Sequence, residues 1–173
     1  QEIVTAVQED VKLTILVLDN HGYGSIGVLS ESVGSAGFGT RSKHRSADGQ
    51  LSGNNVAVDF AANARSLGAH TIEVTTHEEL IAALHEARGD VALKSGRLDD
   101  AQKQFLAALA LDDKHLAAKF KLAVAFARAH AFGEARKHFG EIEKLDPKYP
   151  GLSLEVGVML EDMGKGDEAL AKF

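Results

Sequence analysis

The sequence has no cysteine. That excludes disulfides, thiolate metal sites and a cysteine nucleophile. No apolar run reaches the roughly 18 residues that a membrane-spanning helix needs. Basic charge is not in excess: 19 Lys and Arg face 25 Asp and Glu, for a net charge of −6. The balance points away from nucleic acid, and the acids are dispersed, so there is no acidic tail. Ser25, Ser30 and Ser32 lack a G-x-S-x-G frame, so no serine nucleophile is expected. His77 and His85 lie eight residues apart with no carboxylate completing a metal set, while His130 and His138 straddle a turn; all four read as surface positions.

What remains, 45% hydrophobic and 25% charged residues, is the composition of a soluble globular protein. The opening "QEIVTAVQEDVK" is amphipathic and acidic, unlike a signal peptide. A cytoplasmic protein, or a piece of one, is the expectation. The pattern changes near residue 88. Before it, Ile3, Val4, Val7 and Val11 have helical spacing. "KLTILVLD" then reads as a strand buried on both faces, as in a parallel sheet. Residues 21–56 read as a long Gly/Ser-rich loop. They are followed by a helix "VDFAANARSLG" ended by Gly68, a strand "HTIEVTT", and a Thr76–Glu79 capping box that opens the next helix. This order predicts an α/β fragment with a partial parallel sheet. Two strands make a poor sheet, so the half reads as part of a larger domain.

The second half repeats every 34 residues. Ala101 recurs at Ala135 and Ala169, Phe105 at Phe139 and Phe173, and "LDDK" at "LDPK". Gly89 and Gly96 recur two periods on as Gly157 and Gly164. Such a period marks a solenoid of helical hairpins in which small residues allow close approach and phenylalanines fill the gaps. These positions resemble the tetratricopeptide repeat family over residues 82–173, as repeats 82–115, 116–149 and an incomplete 150–173. Repeat 2 departs from the pattern, with Ala123 and His130 where glycines are expected. The α/β fragment and the all-α solenoid would share one helix, from Glu78 to Ser95. The chain as a whole is expected to be mostly helical and reads as a chimera, natural or engineered, or a composite.

Gly22-x-Gly24-x-x-Gly27 follows the first predicted strand and matches a dinucleotide fingerprint. That motif needs a helix opening near its third glycine, and the residues after Gly27 show no sustained helical period, so the reading is against a nucleotide site. "DNHGYGSIG", "SESVGS-GFGTR" and "DFAANARSLGA" instead make residues 1–88 similar to the last part of the pyrophosphate-binding domain of thiamine-diphosphate enzymes. Within that superfamily they most resemble the trihydroxycyclohexanedione hydrolases of myo-inositol catabolism. The resemblance implies that the Asn20 side chain and the Gly22 carbonyl are two oxygen ligands of the magnesium that holds the diphosphate. The family's Gly-Asp-Gly motif would precede Gln1. One amide and one carbonyl are too little for magnesium, so this site is expected to be vestigial in the isolated chain. No cofactor is then expected, with thiamine diphosphate and magnesium if the missing region is supplied; no catalytic residue is assigned.

The tetratricopeptide resemblance implies a concave groove lined by Glu86, Asp90, Leu93 and Lys94, then Phe120, Val124, Ala127 and Arg128, then Leu154, Val158, Glu161 and Asp162. Asp90 and Val124 stand where carboxylate-clamping members carry asparagines, which disfavours that ligand class. An apolar groove centre suits a short helix or an extended peptide with apolar anchors. The expected role is therefore an interaction or assembly module. The alternative is part of a thiamine-diphosphate and magnesium-dependent C–C bond hydrolase. A homo-oligomer, its two-stranded pieces paired edge to edge, is the third expectation.

Overall fold

The computed structural model describes residues 2–35 and 39–172. The Phe173 repeat position and part of the "SESVGS-GFGTR" stretch lie outside the described residues. The chain divides into two units, Gln1–Thr71 and Ile72–Phe173.

The first unit corrects the expectation of an α/β fragment. Among the described residues there is no strand; its helices are α1 (Glu2–Gln8), α2 (Gly24–Ser32) and α3 (Phe60–Ser66). Two isolated antiparallel bridges, Gly22 with Arg41 and Lys43 with Asn55, are the pairings recorded. "KLTILVLD" carries no strand or bridge, and Leu13, Ile15, Leu16, Val17 and Leu18 are between 55% and 81% exposed. Alternation and β-branching make a segment compatible with a sheet, but a sheet needs neighbours to accept its N–H and C=O groups, and a lone pair of strands is marginal. The loop expectation over 21–56 also fails in part, because α2 lies inside it. Among the described residues of this unit, Gly27 alone is buried. Local devices hold the unit instead. Asp59 caps α3 by accepting from Ala62 N at 2.6 Å, and Gly68 ends it with φ +90°.

Among its described residues the second unit has six helices. They are α4 (His77–Lys94), α5 (Leu98–Leu111), α6 (Leu116–Arg128), α7 (Phe132–Leu145), α8 (Leu152–Asp162) and α9 (Gly166–Leu170). α4 starts at the anticipated capping box: Glu79 N donates to Thr76 Oγ1, and Thr76 N donates to Glu79 Oε2, both at 3.1 Å. At 18 residues it spans roughly 27 Å. α4 packs along α5, α6 along α7, α8 along α9, and α5 along α6.

The 34-residue period becomes a packing period. Ala101, Ala135 and Ala169 are at most 3% exposed, and Phe105 and Phe139 at most 2%. Gly89, Ala123 and Gly157 are all buried. Gly89 faces Phe105 so closely that a Cβ there would lie 2.4 Å from the ring's Cε1. This contact accounts for a glycine in mid-helix, despite its cost of about 1 kcal/mol relative to alanine. The turn glycines Gly96 and Gly164 have φ +71° and +73°, and His130, which replaces one, takes the same left-handed region at φ +56°. Two clusters result. One gathers Ala92, Ala101, Phe105, Leu122 and Ala125; the other gathers Phe139, Ile142, Leu152 and Met159 with Val124 and three alanines. Leu93 and Phe126 touch both and make the core continuous.

Candidate functional site

The glycine-rich segment 19–27 is a turn pinned from two sides. Tyr23 N donates to Thr40 O at 2.7 Å, and Ser42 N donates to His21 O at 2.8 Å. Gly22 is required there, since a Cβ would fall 2.4 Å from Thr40 O and 2.7 Å from Arg41 Cα. His21 takes φ +60°, and its N–H is held by Asp19 Oδ1 at 2.8 Å. α2 then opens at Gly24 with no side-chain cap. The helix that the fingerprint requires near its glycines is therefore present, contrary to the sequence reading. The strand that must precede it is not. Ile26, Leu29 and Val33 do carry an i, i+3, i+7 spacing, but within a run of glycines and serines it is too short to stand out.

Asn20 and Gly22 both lie in this turn. The Asn20 Nδ2 atom lies 2.7 Å from where a Gly24 Cβ would stand, so the carboxamide lies against the first residue of α2. Magnesium needs near-octahedral oxygen coordination, usually with one or two carboxylates beside the phosphates. Among the described residues no three His, Cys, Asp or Glu side chains gather into a metal set. The neighbouring Asp19 carboxylate is turned onto its own loop, 3.5 Å from His21 Nδ1. One amide and one carbonyl do not fit a magnesium diphosphate. In the 42–45 loop, "SKHR", the Lys43 backbone bridges Asn55 and the Arg45 side chain donates to Gly49 O.

The groove positions divide into four kinds. Val124 and Ala127, at 5% and 7% exposed, belong to the core, and Leu93 packs on both core clusters. Phe120 is partly buried, with its ring centroid 5.9 Å from Phe139 and 5.0 Å from Tyr149. Lys94, Arg128, Glu161 and Asp162 lie towards solvent. Leu154 and Val158, one turn apart on α8, present 56% and 41% of their surface and are the exposed apolar members of the set.

The repeats also hold a charge cluster that the groove reading did not foresee. Glu86, placed among the groove residues, is 1% exposed. Lys121 Nζ donates to Glu86 Oε1 at 2.6 Å and to Asp90 Oδ2 at 2.7 Å. His115 Nε2 lies 2.8 Å from Glu86 Oε2. Burial pushes the Glu86 carboxyl up, but the neighbouring His115 ring and the Lys121 ammonium outweigh it and hold it down at about 2. Burial lowers the Lys121 ammonium, yet its two carboxylate partners raise it overall. A signal for this was in the sequence: Glu86 shares the buried stripe of α4 with Ala82 and Gly89, at spacings of four and three. A charge inside an apolar stripe requires a buried partner. Elsewhere, His85 Nδ1 meets Gln104 Oε1 at 2.8 Å and ties α4 to α5, a structural contact.

Comparison with known proteins adds what the geometry lacks. Residues 86–150 match the tetratricopeptide repeat model. The chain is 39% identical over 88 residues to a 3D-(3,5/4)-trihydroxycyclohexane-1,2-dione hydrolase 2 of Bacillus cereus. The same identity and length hold for the 3D-(3,5/4)-trihydroxycyclohexane-1,2-dione hydrolase of Bacillus thuringiensis. In both cases the match covers 50% of this chain and 14% of the relative. Among the described residues no helix is long and apolar enough to cross a membrane. Residues 1–95 match the model described as thiamine pyrophosphate enzyme, C-terminal TPP binding domain, and the chain belongs to that family.

Proposed function

We propose that this chain acts through its helical repeats, as an interaction or assembly module carrying a thiamine-diphosphate-enzyme segment that does not hold the cofactor by itself. The observation that carries the reading is the contrast between the units. Residues 72–172 close a continuous core and leave Leu154 and Val158 open on α8. Residues 2–35 and 39–71 bury no apolar side chain, and no three His, Cys, Asp or Glu side chains gather among them. The partner that suits the open positions is a peptide with apolar anchors about one helical turn apart. A net charge of −6 argues against nucleic acid.

The groove is tested with displayed random peptides, each about a dozen residues long, selected on the purified chain. Selected peptides are expected to carry paired apolar residues and to lose at least about tenfold in affinity on the Leu154→Glu/Val158→Glu variant, about 1.4 kcal/mol. Binders indifferent to that variant would refute the groove.

A second reading is favoured by the family match and the 39% identity to the hydrolases. In it the segment is one part of a thiamine-diphosphate- and magnesium-dependent C–C bond hydrolase of inositol catabolism, completed by residues outside this sequence. Titration calorimetry of the purified chain with magnesium and thiamine diphosphate separates the two. No saturable heat is expected; micromolar binding would overturn the first reading in favour of the second.

A further inference from the structure

The corner where α5 turns into α6 carries a histidine beside a buried carboxylate. His115 directly precedes α6; its N–H donates to Asp112 O at 3.2 Å and its carbonyl accepts from Lys119 N at 3.0 Å, so the corner fixes the ring's origin. The ring reaches Glu86, in the middle of α4, at 2.8 Å. The side chains of His115, Lys121 and Asp90 are 19%, 22% and 16% exposed, and that of Glu86 is 1% exposed. The charge count of this cluster depends on the imidazole. Protonating His115 puts a second cation beside the buried Glu86 carboxylate, next to Lys121; with His115 neutral that contact loses its charge. A carboxylate this dry is costly, and a cation held against it offsets part of that cost.

We propose that His115 is a pH-operated latch between the first and second helical hairpins: as imidazolium it closes on Glu86, and as neutral imidazole it loosens the joint between α4 and α6. The groups facing it are Glu86 and Asp90 from α4, Asp112 at the end of α5, and Lys121 from α6. Tyr149, near Lys121 and Glu86, is pushed up by burial and so titrates well outside the window concerned. The adjacent Glu86 carboxylate raises His115, burial opposes it, the Asp112 charge adds to the rise, and Lys121 subtracts. A histidine raised in the folded state contributes its stability fully below the ordinary value of about 6.5 and loses it as pH rises through the folded value. His138 has the opposite sign. Burial, its ring stacked 5.7 Å from Phe126, pushes it down, so its contribution is lost as pH falls below the ordinary value. The latch is therefore read on the alkaline side of about 6.5, where His138 does not interfere.

The test uses the full chain, histidine-labelled for NMR, with thermal melts and amide exchange of α4 from about pH 6 to about pH 8.5, a window that brackets the ordinary histidine value. His115 is expected to titrate above about 6.5, and the melting temperature to fall across that midpoint. The opening constant of α4 is expected to rise about tenfold for each pH unit that separates the midpoint from the ordinary one. In His115→Gln, which keeps a donor but does not titrate, the fall should disappear. A wild-type His115 midpoint at or below the ordinary value overturns the proposal without any variant having to fold. So does an equal pH slope in His115→Gln.

Discussion

Phe105→Ala is expected to lower the unfolding free energy of the repeat unit by about 3–5 kcal/mol, the range for truncating a buried phenylalanine. The ring is fully buried on α5, in a cluster with Ala92, Ala101, Leu122 and Ala125. It also lies against Gly89, which has no Cβ to move into the space it would vacate. The cavity would be walled by small side chains on rigid helices, so little collapse can offset the loss. Urea denaturation followed by helical circular dichroism gives the value. Phe105→Leu, which keeps most of the volume, should cost clearly less. A loss under about 1 kcal/mol for the alanine variant would show that this ring does not join the hairpins, since surface substitutions fall in that range.

Lys121→Met is expected to cost about as much, roughly 3–5 kcal/mol, by a different route. The stem's packing is largely kept, but Glu86 and Asp90 lose the ammonium that lies 2.6 and 2.7 Å from them. The penalty is that of buried carboxylates that have lost a cation rather than the net worth of the ion pairs. Adding Glu86→Gln to Lys121→Met should therefore recover part of the loss, and a double-mutant cycle measures the coupling. Acid behaviour gives a second readout. Glu86 is depressed to about 2 in the folded chain, so its contribution is present above the ordinary carboxylate value of about 4.3 and fades as pH falls through the depressed one. In Lys121→Met that fading should begin at higher pH. Additive single variants, or an unchanged acid limb, would refute the assignment.

The repeats were largely legible in the sequence because their determinants are local and recur. Ala101, Phe105, Ala135 and Phe139 were placed by the 34-residue period, and each is buried. Gly96 and Gly164 mark turns that need a left-handed residue, and the Thr76–Glu79 box starts its helix. The first unit was legible as a family and not as a conformation. "KLTILVLD" has the composition of a strand, but strand formation is a property of partners, and here the apolar side chains remain exposed. α2 was overlooked because its apolar spacing spans barely two turns among glycines and serines.

Taken alone, the order of residues determined the helical period, the caps and turns, and the likeness of residues 1–88 to a cofactor-binding segment. Those depend on neighbours a few positions away or on a repeated offset. Only the tertiary structure decided that Glu86 lies buried between α4 and α6, bound by a lysine 35 positions along the chain, while Leu154 and Val158 stay open. Burial and charge pairing depend on what the fold brings alongside, and a carboxylate cannot be told from a groove residue until its partners are in place.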